Sequence, residues 1–452
     1  MKRFLVILAA VLLIAPLTAQ EGLGSGPDFS ATLLLGSDLL PSASDPTKLE
    51  SWSKLGFQPD LSLGKFGIGL DLTFRFQIYP DANTPLLIYE PDWVPQAGRT
   101  IFDVYLPKIM YVRYGLRGID PYYIKLGSID DFSLGNGLIV SDYANTRFLP
   151  DLRIFGLQLG LDGSVFKFPY LGIEALTGNL ARMDVIGGRI FIRPLAFLGE
   201  TLPAKLQLGF TGVLDRDPLT YTDAADLALY PAADLVYIIG ADLSLPVLSS
   251  EVASLNAFVE GARQPSGALG LITGVGGRLI GFIKYGAQIR ALQGGFIPSY
   301  FDSNYDFYRD ERAEYVLSLA SPGDFKLGWL ARLGFQLFKE ALELNIQVDG
   351  PFAPKPSPAT DDSGAYPHIK GAVVLAEGLL PGIFLSGSYE KYFIGRKTTF
   401  FRELLDPEDA VIGMSINYKT GATVLTLSYI YSWDPTAGDF NVSSSLSASV
   451  RF

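Results

Sequence analysis

The chain has 452 residues, a formal net charge of −11, no cysteine and a single histidine, His368. Disulfides and thiolate metal sites are therefore impossible, and a cluster of imidazole ligands is excluded. The acidic balance argues against nucleic acid as a partner.

In chain order, residues 1–19 read as a secretory signal peptide: Lys2 and Arg3, an apolar stretch from Phe4 to about Ile14, then small residues ending at Ala19. Removing Lys2 and Arg3 moves the charge from −11 to −13. Residues 20–452 show no linker or compositional break and are expected to form one domain. None of this remainder has the ~20 uninterrupted apolar residues of a spanning helix.

The strongest periodicity follows. Leu55, Phe57, Leu61 and Leu63 alternate with polar residues or glycine up to a turn near Gly64 and Lys65. From Phe66 through Ile68, Leu70, Leu72, Phe74 and Phe76 to Ile78, every even position is apolar and every odd one polar or glycine. Thirteen such residues reach ~43 Å, still ~33 Å across a membrane at a tilt of ~40°. Strands of soluble domains average only about 5–6 residues.

The same alternation recurs at Leu157, Leu159, Leu161; at Tyr237, Ile239, Leu243; at Leu279, Ile283, Tyr285, Ile289; and at Leu425, Leu427, Tyr429, Tyr431, with no Lys, Arg, Asp or Glu on that face. Connections alternate between short turns and long loops, the latter near 79–100, 129–150, 215–233, 292–325, 350–366 and 393–408. This pattern predicts an all-β fold, a transmembrane antiparallel up-and-down β-barrel of about 20 strands (range roughly 16 to 22), with short periplasmic turns and long extracellular loops. Glu314 to Ala320 reads as a candidate extra strand within a loop. Trp52, Phe66, Tyr418, Trp433, Phe440 and Phe452 fall at predicted strand ends, where interfacial girdles sit.

The chain ends with Phe440, Val442, Leu446, Ala448, Val450 and Phe452 on one face and polar residues on the other. This resembles the C-terminal assembly signal of bacterial outer-membrane β-barrel proteins, with Val450 and the terminal Phe452 carrying the likeness. The resemblance implies recognition by the barrel assembly machinery, residence in the outer membrane, and lipid as the surrounding partner. The stretch from Leu134 to Thr146, together with Gly187, Gly188 and Arg189, is similar to a group of uncharacterised outer-membrane barrels and implies no substrate.

If the apolar face meets lipid, the opposite face lines a wet lumen. Its predicted cations are Arg75, Arg189, Arg193, Lys205, Lys284, Arg290 and Arg332, and its acids Asp71, Asp162, Asp242, Glu260, Glu343, Asp349 and Glu390. Gly294 to Glu314, with Tyr300, Asp302, Asp306, Arg309 and Arg312, is the candidate constriction loop, because its aromatic and charged mix is not that of an idle linker. The leading functional expectation is a porin-like channel or passive transporter for small polar solutes, without cofactor or metal. The alternative is a non-conducting barrel whose loops act as adhesin, receptor or structural element. A third is hydrophobic-ligand uptake through an apolar patch near Phe282, Leu330 and Phe338. Catalysis is not expected, because a hydrolytic triad would have to be built on His368 with no Gly-x-Ser-x-Gly elbow. The run from Gly274 to Gly277 reads as close packing and a tight hairpin, and the acid pairs Asp130-Asp131 and Asp361-Asp362 as solvated loop acids. The oligomeric state is not legible.

Overall fold

The computed structural model describes residues 28–41, 49–81, 84–96, 99–149, 152–222, 226–250, 252–338, 341–353, 366–434 and 439–451. The signal-peptide segment, Asp361-Asp362 and Phe452 lie outside the described residues.

The described chain is a closed antiparallel barrel. Its first strands are β1 (Asp28–Pro41), β2 (Leu49–Leu63), β3 (Phe66–Leu70 and Leu72–Asp81), β4 (Thr84–Ile88 and Ile109–Tyr114) and β5 (Tyr122–Gly127). Next come β6 (Gly156–Asp162), β7 (Leu171–Thr177), β8 (Val185–Ile192), β9 (Gln207–Asp215), β10 (Val236–Ser249), β11 (Ser254–Arg263) and β12 (Leu269–Leu279). Then follow β13 (Ile283–Gln293), β14 (Phe325–Leu337), β15 (Leu342–Pro351), β16 (His368–Leu380), β17 (Ile383–Lys391), β18 (Ala410–Thr420), β19 (Thr423–Asp434) and β20 (Asp439–Arg451). The sheet's 22 segments make twenty strands, because β3 and β4 each consist of two pieces. Each strand pairs with its sequence neighbour, and β1 pairs with β20 from Thr32↔Arg451 to Ser37↔Leu446, so no edge remains. That closure is what a sheet needs in hydrocarbon, where an unpaired backbone group costs several kcal/mol. The predicted fold class and strand number are borne out.

The outward positions follow the predicted period. On β10, Tyr237, Ile239 and Leu243 are exposed while Val236, Ile238, Asp242 and Ser244 are buried. Phe210, Leu271, Ile289 and Leu327 likewise point outward from their strands.

Three local expectations are corrected. The run Phe66 to Ile78 is not one uninterrupted strand: its ladder breaks at Asp71, whose N–H donates to the Lys108 carbonyl at 2.7 Å, and β3 is next paired on that side at Phe76↔Ile88. The segment Glu314 to Ala320 is no strand, since the helix Tyr305–Ser318 covers most of it. The glycine run lies inside β12 rather than at its turn. A Cβ on Gly277 would come within 2.0 Å of the Ser254 carbonyl, so the expected close packing is there and the expected hairpin is not.

The largest departure is inside the barrel. The 129–150 segment, expected outside, folds inward as a small hairpin, Phe132–Leu134 against Val140–Tyr143. The 294–324 segment also folds inward and carries the helix. The two meet in a parallel bridge, Val140↔Phe301, flanked by Ser299 N–H to Leu138 O at 2.8 Å and Phe301 N–H to Ile139 O at 3.0 Å. Around it lies a dry core of Ile129, Leu134, Leu138, Ile139, Tyr143, Tyr300, Phe301, Tyr305 and Val316 packed on wall residues Leu176, Val185, Val213, Val236, Ile238 and Ile272. The inner face is therefore not uniformly wet. Wall glycines make room for this plug: a Cβ on Gly240 would meet Ile139 at 2.8 Å, and one on Gly270 would meet the Phe296 ring at 2.5 Å.

Candidate functional site

The lumenal helix Tyr305–Ser318 is fixed to the wall through charge. Arg309 reaches Asp215 at the end of β9 at 2.7 and 2.8 Å, and Asp184 beside β8 at 3.0 Å. The Tyr305 hydroxyl donates to Asp215 at 2.6 Å. All three partners are buried. Val185↔Asp215 is a cross-strand pair, so Asp184 and Asp215 stand side by side at the loop end of neighbouring strands and offer four carboxylate oxygens to one guanidinium. The surrounding carboxylates hold Arg309 well above its ordinary value against the opposing cost of burial. Asp306 faces the same cluster at 3.8 Å from Arg309, and burial pushes its carboxyl up to about 7. On the next turn Arg312 pairs with Asp302 at 2.8 Å and donates to the Tyr300 carbonyl. At the far end Glu314 accepts from the backbone N–H of Ala232 at 2.6 Å and Ala233 at 3.1 Å, tying the helix to the β9–β10 loop.

A second group sits on the wall. Arg189 makes a bidentate pair with Asp242 at 2.8 and 2.7 Å and reaches Glu174 at 3.0 Å. Glu260, buried on the next strand, accepts from the Asn136 N–H at 2.7 Å and so anchors the inner hairpin. A third group joins Arg75 to Asp38 at 2.9 Å and to Asp92 at 2.8 Å, with Lys54 also on Asp38. Asp71 pairs with Arg153 of the inward loop at 2.6 Å.

Between the plug and the wall from β13 to β17 a cavity of about 440 Å³ remains. Arg290, Arg332, Asp349, His368, Lys370 and Glu390 line it from the wall, and Asp302, Glu311, Arg312 and Tyr315 from the plug. Register explains the gathering: Asp349↔His368 and Lys370↔Glu390 are cross-strand pairs, which put the side chains of each pair on one face. His368 is held between Asp349 at 3.0 Å and Glu390 at 3.2 Å and stacks on Tyr392 at 4.5 Å. Arg290 pairs with Asp349 at 3.2 Å, Lys370 donates to Ser303 at 2.8 Å, and Asn304 donates to Glu390 at 2.8 Å. Arg332 donates to Gln347 and to Ser141 at 3.2 Å, with Asp142 at 3.9 Å. Both signs of charge thus line one cavity.

Not every predicted lumenal charge belongs here. Arg193 and Lys205 lie in the β8–β9 turn, beyond the strand register that would point them inward; Arg193 pairs there with Asp162 at 2.7 Å, and Lys205 is exposed. Lys284 and Glu343 form an exposed pair at 3.5 Å toward the turn end of their strands. Trp52, expected in a girdle, is buried on the inner face edge-on to Tyr89, because it shares the register of Asp38. Trp433 and Phe440 do pack as a cross-strand pair, 5.1 Å between centroids. Phe282 and Phe338 lie in short turns while Leu330 is buried within β14, so the three do not make an apolar lumenal patch. Asp130 and Asp131 are taken up by Lys125 at 3.0 Å and Arg117 at 3.8 Å. Among the described residues, no group of three His, Asp or Glu side chains is arranged so that it could hold a metal ion. Sequence reasoning missed Asp38, Asp92, Asn136, Tyr143, Arg153, Glu174, Asp184 and Asp215. Acids flanking a strand's loop end are the one signal that could have found Asp184 and Asp215.

A closed twenty-stranded antiparallel sheet with an apolar exterior and loops folded into its lumen defines a transmembrane β-barrel. No protein-family profile and no curated protein matches the chain. Among solved structures it is similar to three Pseudomonas aeruginosa proteins. For OccK2 (OpdF) the identity is 11% and the TM-score 0.33, over 96% of this chain and 99% of that one. For the outer membrane protein OpdK the values are 12% and 0.33, over 94% and 98%. For OpdO they are 12% and 0.39, over 94% and 97%. Likenesses this loose carry no argument, so the architecture rests on the ladder described above.

Proposed function

We propose that the protein is an outer-membrane channel for the passive passage of small polar solutes, exported by its N-terminal segment and inserted by the barrel assembly machinery. The observation that carries this reading is the 440 Å³ cavity left between plug and wall, bordered by Arg290, Arg332 and Lys370 on one side of the charge balance and Asp349 and Glu390 on the other. A passage with opposed charges orders polar solutes and biases ions, as charged rings do in pores. Arg332 serves the selectivity role best: its one carboxylate partner, Asp142, stands 3.9 Å away and its own side chain is 41% exposed, so a passing ion can reach its charge.

The test is single-channel recording in a planar bilayer. Arg332→Glu is expected to move the reversal potential toward cation selectivity under a salt gradient, with the barrel still intact by heat-modifiable gel mobility. An unchanged reversal potential with normal conductance would remove this passage from the ion path. The dry plug core favours the second reading, a barrel whose lumen stays shut and whose loops do the work. Electrical silence of correctly folded protein would select it.

A further inference from the structure

The wall is uneven. Strands β5, β6 and β7 have 6, 7 and 7 residues, whereas β1 and β2 have 14 and 15. Six residues at a rise of ~3.3 Å and a tilt of ~40° cover only ~15 Å of height, against an apolar band of ~25 Å. The sheet in this sector is too short to face the hydrocarbon alone.

What lies beside it is the excursion that interrupts β4. It leaves after Tyr89, whose N–H donates to the Arg75 carbonyl at 2.9 Å, and returns at Lys108 on Asp71 at 2.7 Å. Its described parts are residues 90–96 and 99–108. Trp93 stacks on Phe74, an outward residue of β3, 4.4 Å between centroids. Asp103 approaches Arg182 of the β7–β8 loop at 3.9 Å, so the excursion stretches sideways above the short strands. Within it, the turns Glu90–Asp92, Ile101–Tyr105 and Leu106–Lys108 are helical, and Thr100 and Asp103 close a capping box. Its backbone groups are therefore largely satisfied locally, the condition for non-sheet backbone at membrane depth. Ile101, Phe102 and Tyr105 are 59%, 62% and 46% exposed, while Val104 turns back and is buried. At the opposite end of the same sector the turns β6–β7 and β8–β9 expose Phe166, Phe168 and Phe197.

We propose that the 99–108 part of this excursion is inserted in the bilayer, its Ile101, Phe102 and Tyr105 meeting acyl chains and completing the lipid-facing band where the sheet stops short. The partner is lipid rather than protein, because the apolar residues extend the barrel's own outer band at both ends of the short strands. The proposal rests on the membrane placement of the barrel as a whole.

The chain lacks cysteine, so single sites can be labelled without background. Ile101→Cys and Phe102→Cys would carry an environment-sensitive fluorophore in phosphatidylcholine–phosphatidylglycerol vesicles, with Ile289→Cys on β13 as a wall reference and Leu229→Cys in the β9–β10 loop as an aqueous one. Nitroxide-bearing lipid is expected to quench positions 101 and 102 at least threefold more than iodide does, as at 289, and the reverse at 229. Iodide quenching at 101 and 102 with lipid quenching at 289 would overturn the proposal and leave the barrel reading intact. Quenching by neither agent would assign the patch to a protein contact and overturn it equally. Iodide quenching at 289 too would overturn the membrane reading itself. Tyr105→Cys serves if either label prevents folding.

Discussion

Arg309 is the residue on which the plug's position turns. It is 2% exposed and shares its charge among Asp184, Asp215 and Asp306. Arg309→Met would leave those carboxylates buried without their cation, a loss of about 3–5 kcal/mol. The expected outcome is a lower melting temperature in detergent together with protease cleavage inside 294–324, and an unchanged melt would mean that the apolar contacts alone seat the helix. Asp306 makes a separate prediction. Its carboxyl, raised by burial from 3.8 to about 7, keeps its proton in the folded protein over a range in which the unfolded chain has lost it. The folded state binds more protons between those values, so stability falls as pH rises from about 4 to about 7. Asp306→Asn mimics the protonated form, and melts taken from pH 5 to pH 8 should show a flatter pH profile than the parent. An equal slope in both proteins would place the titrating group elsewhere.

Among the elements, the wall was far more legible than its filling. Outward faces such as Tyr237, Ile239 and Leu243 declare themselves by period, because lipid tolerates no charge there. The inner face carries no such rule. Val236 and Ile238 are apolar on both sides of that pattern because they meet the plug, and only this doubling hints at a dry interior. The 294–324 loop announced itself by composition, but its partner 129–150 did not, since Leu138, Ile139 and Val140 read equally well as a strand. Charged pairs such as Arg189 with Asp242 depend on which strands adjoin, and that information is in register rather than in local pattern. The bridge between the two loops centres on Phe301. Phe301→Ala would remove a fully buried ring at a cost of about 3–5 kcal/mol. It should loosen the plug while leaving the wall closed, read as a several-fold rise in single-channel conductance with unchanged gel mobility; conductance equal to the parent's would show that this core does not limit the passage.

For the molecule as a whole, stability rests on a ring of hydrogen bonds closed by the β1–β20 seam and solvated outside by lipid. Phe210, 62% exposed on β9, stands on that outer surface. Phe210→Lys is expected to cost ~2–4 kcal/mol near the midplane, measured by urea titration in phospholipid vesicles, whereas the same change on a water-bathed face would cost little. A loss below about 0.5 kcal/mol would contradict lipid exposure of this face.

Val140 and Phe301 are also far apart along the chain, and each belongs to a loop whose ends are fixed only when its flanking strands have paired. Closure cost rises with separation along the chain, and the β1–β20 seam, Thr32↔Arg451, joins residues farther apart still. The two inward loops can thus meet before the perimeter closes at that seam, so the shell is completed around a filling already in place.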